Sequence, residues 1–347
     1  MLYNAGLLAF QIAKSNFNAL ELPYKLTFCI TFHCQSRCKT CSIWQLKPEN
    51  ELSLEEINQF AQKANFLTWV NITGGEVFLR NDLVEICEAF AKHCRLFLLN
   101  FATNGLMPAA IPEKIEKILA LSISRVIIGV SIDGPERIND DIRGIKGDWK
   151  KAIQTFLALK ELEKKHKHFR TYIGYTLSTH NSGKFSKFWE EIKKTIPNLK
   201  PEMIHVNLAH HSPHYYYTQD SEASEINKEE LDEIYALRKF SLHPVRWLER
   251  QYLFYAKHFL ASGKTPFPCH AVSTSCYVDS WGNVYPCTIY EKKIGSLREK
   301  GYDLAQIIKS NAAEETKQEA LNLRCPNCWT PCEAYQILLS NLGKKRL

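Results

Sequence analysis

No stretch of this 347-residue chain approaches the apolar length needed to cross a bilayer, which argues against a membrane-spanning helix. The chain also lacks the marks of an export signal. Its apolar opening, 1–13, is interrupted by Asn4 and Gln11, follows no basic segment and ends in no convincing cleavage site. There is no low-complexity tract, and no internal repeat beyond an alternation of strands and helices. The formal net charge of +7 is spread along the sequence, and its short clusters (Lys164, Lys165, Lys167; Lys344, Lys345, Arg346) read as solvated faces. Nucleic acid is therefore not an expected partner. What remains is a chain with room for one large α/β unit and an appendage, in a reducing, cytoplasmic compartment. Its N-terminal run is expected to be a helix packed on the rest. The alternative is a membrane-surface or lipid contact through Leu2, Leu7, Leu8, Phe10 and Ile12.

The hydrophobic pattern predicts strands near 26–32, 68–73, 96–103, 125–132, 170–178 and 203–209. Helical periodicity falls between them, near 83–93, 113–121, 149–165 and 184–195, and a further helix opens at Ser53, with Glu56 completing a capping box. Strands alternating with helices imply parallel pairing with right-handed crossovers, hence an open or partial six-stranded α/β barrel. Reactive groups belong at the C-terminal strand ends of such a barrel. The pattern lapses over 210–225 into His, Tyr, Ser and acidic residues. A helical stretch from Asn227, broken near Pro244, follows it. From about Pro266 the chain reads as a hairpin turning at Trp281, Gly282 and Asn283, a helix near 303–321 and a cysteine-rich knot. The expected divisions are an N-terminal extension 1–22, a barrel 23–225, a helical connector 226–264 and a tail 265–347.

Twelve cysteines in a reducing compartment point to metal rather than to disulfides. Cys34, Cys38 and Cys41 follow the first strand with spacing C-x3-C-x2-C. Three thiolates leave one position of a metal centre open to bind and activate something, whereas a closed structural site uses four. Zinc completed by His33 or a distant ligand is the competing reading. Cys29, Cys87 and Cys94 lie inside periodic segments and read as buried core thiols.

On this loop the chain resembles the radical S-adenosylmethionine (SAM) superfamily, and three further motifs arrive in the family's order. Thr73-Gly74-Gly75-Glu76 follows strand two, Thr103-Asn104-Gly105 follows strand three, and Ser131-Ile132-Asp133-Gly134-Pro135, with Arg143-Gly144 beyond it, follows strand four. The resemblance implies that Cys34, Cys38 and Cys41 hold three irons of a [4Fe–4S] cluster whose fourth iron is chelated by SAM. It further implies that Gly74 and Gly75 admit the methionine end and that Glu76 accepts from its ammonium. Thr103 and Asn104 would belong to the same cofactor-binding set, Ser131 and Asp133 would meet the ribose, and Arg143 the SAM carboxylate. Many members carry an aromatic residue before the third cysteine where this chain has Thr40. Trp44 is either its replacement or a buried anchor. Thr176, Ser178 and Asn207 are adenine-contact candidates.

The tail cysteines Cys269, Cys276, Cys287, Cys325, Cys328 and Cys332 are similar to the auxiliary-cluster extension called SPASM or, in its shorter form, twitch. Cys269, Cys287, Cys325 and Cys328 form the favoured quartet. A competing assignment draws in Cys276 and Cys332, and a zinc knot is a third reading. The resemblance implies an enzyme that accepts an electron from a donor such as flavodoxin or ferredoxin and cleaves SAM to a 5′-deoxyadenosyl radical that abstracts a substrate hydrogen. Oxidative modification or cross-linking of a peptide is the leading expectation. The rivals are a small-molecule, sugar or lipid substrate and, in another class, a non-catalytic Fe–S or zinc protein. His205, His210, His211, His214 and Tyr215 to Tyr217 are candidates to line the substrate opening.

Overall fold

A computed structural model describes residues 2–218 and 226–345. The expected boundary at 225, Arg346 and the side chain of Leu2 lie outside the described residues. Helix α1 (Leu2–Ser15) precedes six βα units: β1 (Lys25–Thr31), α2 (Leu54–Lys63), β2 (Trp69–Gly74), α3 (Leu83–His93), β3 (Leu98–Thr103) and α4 (Ala110–Leu119). There follow β4 (Arg125–Ser131), α5 (Glu136–Arg143), α6 (Asp148–Lys165), β5 (Phe169–Leu177), α7 (Phe185–Thr195) and β6 (Ile204–Leu208). Then come α8 (Lys228–Ala236), α9 (Pro244–Ser262), β7 (Ser275–Val278), β8 (Asn283–Tyr285), β9 (Gly295–Ser296), α10 (Leu304–Ile308), α11 (Asn311–Leu321) and α12 (Pro331–Leu339). Ser53 caps α2 with the reciprocal Glu56 bond that its spacing implies.

The strands form one sheet in the order β6-β5-β4-β3-β2-β1-β7-β8-β9. β1 to β6 are parallel throughout, which makes the six βα units a partial barrel. The cysteine-rich tail is built onto this same sheet: β7 pairs in parallel with β1, Lys25 opposite Ser275, and β7 turns antiparallel into β8 at the expected hairpin. Period-two alternation sorts the barrel strands into two faces. Leu26, Phe28, Ile30, Val70, Ile72, Leu99, Phe101, Val126, Ile128 and Val130 pack under the outer helices in the main core. Each such buried side chain stabilises by about 1.5–3 kcal/mol.

The inward face is different. Thr27, Asn71, Asn100, Tyr172, His205 and Asn207 point into a cavity of about 370 Å³, where barrels usually stack branched apolar side chains. Helices α9 and α12, which pack on each other, add Leu248, Glu249, Cys332 and Tyr335 to its wall. Trp329, fully buried, ties these pieces together: its Nε1 donates to Tyr252 O at 2.8 Å and its ring stacks on Tyr252.

Candidate active site

The loop after β1 carries Cys34, Cys38 and Cys41, and all three line the cavity. It is held from outside by backbone bonds: Arg37 N donates to Arg143 O (3.0 Å), Lys39 N to Ile142 O (2.8 Å) and Ser42 N to Tyr216 O (2.8 Å). Gly144 ends α5 in the left-handed region at φ +69°, where a Cβ would stand 2.6 Å from Arg37 O, so glycine is what lets α5 dock there. Gly74 and Gly75 serve a similar close approach. A Cβ on either would lie 2.2 Å from the carbonyl of Thr31 or His33, and their neighbourhood bonds to that backbone through Gly75 N to Thr31 O and Glu76 N to His33 O, both 2.8 Å. The GGE segment thus fixes the cysteine loop for a reason internal to the chain.

Burial raises all three thiols, Cys34 to about 11 and Cys41 to about 12. Arg143 counters this, with its Nη1 3.8 Å from Cys38 Sγ. The donor set fits an iron–sulfur cluster: three thiols lie on one cavity wall beside a guanidinium that offsets thiolate charge. Arg143 also bonds Asp133 at 2.6 Å, and Asp133 accepts from Thr176 N at 2.8 Å. Asp148 lies near the same guanidinium, and burial pushes its carboxyl up to about 6. Among the expected SAM-site residues, Gly74, Gly75, Thr103, Asn104, Ser131 and Arg143 line the cavity, as do Thr176 and Asn207. Glu76 and Asp133 stand behind the wall. Glu76 is fully buried, and its carboxylate accepts from Thr103 Oγ1 (3.0 Å to each oxygen), Asn104 N (2.7 Å) and Phe78 N (3.2 Å). Burial nevertheless pushes it up to about 7. Ser178 is buried and bonded to Asn181. Near Cys41 the cavity wall is made by Thr40 and Ile43 rather than by Trp44.

The 210–217 segment divides in two. His210, Tyr215 and Tyr216 line the cavity. Ser212 and His214 face the tail: Ser212 Oγ donates to Thr288 O (2.7 Å), and His214 Nε2 lies 3.0 Å from Cys287 O. Tyr217 packs edge-on against Phe32. At the opposite end of the cavity is a polar cluster the sequence reading did not assemble. Glu249 Oε1 accepts from Tyr335 OH and lies 2.9 Å from His205 Nδ1, whose ring stacks on Tyr172. Burial opposes ionisation of Glu249, but His205, Tyr335 and Arg238 together hold its carboxyl below the usual range. Its Oε2 has no hydrogen-bond partner among the described residues.

The tail cysteines also separate. Cys269, Cys287 and Cys328 lie close enough for their charges to act on one another, and Cys325 acts on Cys328. The backbone N–H groups of Ile289 and Tyr290 donate to Cys287 Sγ at 3.4 and 3.2 Å, the kind of contact that stabilises a thiolate. Cys276 sits in β7 opposite Leu26, and Cys332 lies on the barrel cavity.

Motif order, parallel partial barrel and cysteine-lined cavity are together those of an iron–sulfur enzyme. The chain belongs to the radical SAM superfamily: that family's model matches residues 28–185, and the model of the SPASM iron-sulfur cluster-binding domain matches 269–329. Its cofactors are accordingly SAM and [4Fe–4S] clusters, one in the barrel and at least one in the tail. The chain is 26% identical over 310 residues to the sporulation killing factor maturation protein SkfB of Bacillus subtilis, covering 88% of this chain and 69% of SkfB. It is 23% identical over 298 residues to the AdoMet-dependent heme synthase of Methanosarcina barkeri, 81% of each. Streptococcus suis SuiB bound to SAM has a similar fold, with TM-score 0.60 and 14% identity over 94% of this chain and 74% of SuiB.

Proposed function

We propose that this radical SAM enzyme oxidatively modifies or cross-links a peptide, with Cys34, Cys38 and Cys41 holding the SAM-binding cluster and Cys269, Cys287, Cys325 and Cys328 the auxiliary one. The observation that carries the reading is the single cavity whose wall passes from the barrel cysteines to Thr330, Pro331, Cys332 and Tyr335 of the tail. A substrate held there touches both cluster-bearing parts. The named role of SkfB in maturation, and a SuiB structure with its precursor peptide, support a peptide.

The cofactors, when bound, supply reductive cleavage of SAM and hydrogen-atom abstraction, with the electron coming from a flavodoxin- or ferredoxin-like donor. The chain's own residues bind and orient. Arg143 would meet the SAM carboxylate and Ser131 the ribose, a reading supported by their position on the cavity wall and by the bond of Asp133 to Arg143. Glu76 locks the Thr103–Asn104 turn and sets the local charge that an ammonium would meet. Glu249 brings a buried carboxylate to the cavity wall, with Tyr335 and His205 fixing its orientation through Oε1, and Oε2 left without a partner among the described residues. The test is anaerobic incubation of the reconstituted protein with SAM, reductant and peptides encoded beside its gene. The reading expects deoxyadenosine release together with a peptide mass loss of whole hydrogens. Deoxyadenosine with no peptide of altered mass, but with an altered lipid or small molecule, would move the assignment to the second reading. That reading is favoured by Val245, an apolar side chain that lines the cavity and is itself exposed.

A further inference from the structure

Helix α1 carries aromatic side chains on its outer face while amide and hydroxyl groups turn inward. Three of its polar side chains face the protein: Asn4 Nδ2 donates to Leu96 O (3.0 Å), Gln11 Nε2 to Phe66 O (3.2 Å), and Ser15 Oγ lies 2.9 Å from Ser340 Oγ. Leu8 and Ile12 also turn inward, against Leu20 and Tyr24. Outward, at helical spacing, stand Tyr3, Gly6, Phe10 and Ala13, with Phe17 just beyond the helix end; Phe10 is 64% and Phe17 85% exposed. A helix with aromatic rings toward solvent and amides toward its own domain normally has something apolar against it.

Other exposed apolar residues lie at the same end of the barrel. Leu96 and Phe66, to which α1 bonds, precede β3 and β2, so α1 covers the N-terminal strand ends. Arg238 bonds to Pro201 O and Ile204 O at the start of β6, which brings the neighbouring Phe240 (72% exposed) and Leu242 (86%) to that end. Leu342, whose N–H donates to Asn16 Oδ1, adds a third segment. The cations that look scattered in the sequence gather here too. Lys14, Arg95, Lys200, Lys239, Arg246 and Lys344 are exposed on the segments that build this face, whose carboxylates are Glu21 and the half-buried Glu202. Arg95 lies over the Tyr3 ring, joining the two features.

From this we infer that the N-terminal face of the barrel docks on an anionic lipid surface, with the aromatic residues of α1 and the 240–242 loop entering the interface and the surrounding cations meeting lipid phosphates. A second copy is the poorer occupant, because a two-fold pairing would set this basic face against itself. No helix among the described residues is long and apolar enough to cross a membrane, so the contact lies on the surface rather than through it. The inference does not depend on the peptide reading, since its test involves neither substrate nor turnover.

The test is flotation of the full-length, cluster-loaded protein with vesicles of phosphatidylglycerol and phosphatidylcholine, against vesicles of phosphatidylcholine alone. The expected result is at least tenfold stronger partitioning onto the anionic vesicles, reversed by high salt. Phe10→Ser with Phe17→Ser, and separately Lys239→Glu with Arg246→Glu, should each reduce it about tenfold or more while the iron content and far-ultraviolet spectrum stay unchanged. Failure of the wild-type chain to float with anionic vesicles at low salt would overturn the inference. So would undiminished binding by both folded variants, or a wild-type dimer that the Phe10→Ser, Phe17→Ser variant converts to monomer.

Discussion

Glu76 and His210 show how single buried polar residues set the site's demands. Glu76 takes backbone donors from Asn104 and Phe78, so Glu76→Gln turns an amide NH₂ toward N–H groups that can only donate. The expected cost is about 1–3 kcal/mol of stability, together with about tenfold weaker SAM binding as the negative charge is lost. Calorimetric titration with SAM and thermal unfolding check both, and an unchanged affinity would remove Glu76 from the SAM site. His210 is held neutral. Its Nε2 accepts from Trp329 N at 3.0 Å, so Nδ1 carries the proton that bonds Leu208 O at 2.9 Å. Burial lowers its pKa from 6.5 to about 4, so the stability it contributes is present above pH 6.5 and is lost as pH falls through about 4. Unfolding of the metal-free chain should therefore lose on the order of 2 kcal/mol more than His210→Gln over that interval. Parallel pH profiles for the two proteins would contradict this. Glu249 could not be read in advance: His205, Glu249 and Tyr335 meet from β6, α9 and α12, and no local spacing links them.

At the scale of elements, the six barrel strands and the helices over 83–93, 149–165 and 184–195 fall within a few residues of their expected places, because apolar periodicity is strongest where an element is buried on one face. Two helices escaped. α5, Glu136–Arg143, is eight residues of mostly charged sequence with no apolar stripe long enough to see. α12 begins at Pro331 amid the cysteines, and its buried residues include Glu333 and Gln336, which are paired by Ser275 and Lys25 rather than placed by hydrophobicity. The expected single helix near 303–321 is two, α10 and α11, because Ser310 caps a fresh start by accepting from Ala313 N. The N-terminal run, expected as a helix packed on the rest, does pack there through Leu8 and Ile12, and of the described residues named for the alternative membrane contact Phe10 is the exposed one. The joint between α9, α12 and β6 depends on Trp329. Trp329→Ala should cost about 3–5 kcal/mol and release the tail to protease before the barrel, as limited digestion with fragment mass analysis would show. Simultaneous loss of both parts would mean the tail has no separate stability.

At the scale of the whole molecule, one continuous sheet carries both cysteine-bearing parts, yet the proposed SAM-binding residues, with the adenine candidates Thr176, Ser178 and Asn207 included, all precede His210. Replacing Cys325 and Cys328 by Ala should thus leave some SAM cleavage while ending product formation, provided the protein stays soluble and keeps its first cluster. Normal substrate turnover with only the first cluster present would make the tail cluster structural. The account as a whole rests on three thiols. Anaerobically reconstituted wild-type protein, expected to hold about seven to eight irons, should release 5′-deoxyadenosine from SAM with a low-potential reductant. The variant with Cys34, Cys38 and Cys41 replaced by Ala should release none while remaining folded. Undiminished deoxyadenosine formation by that folded variant would contradict the central claim.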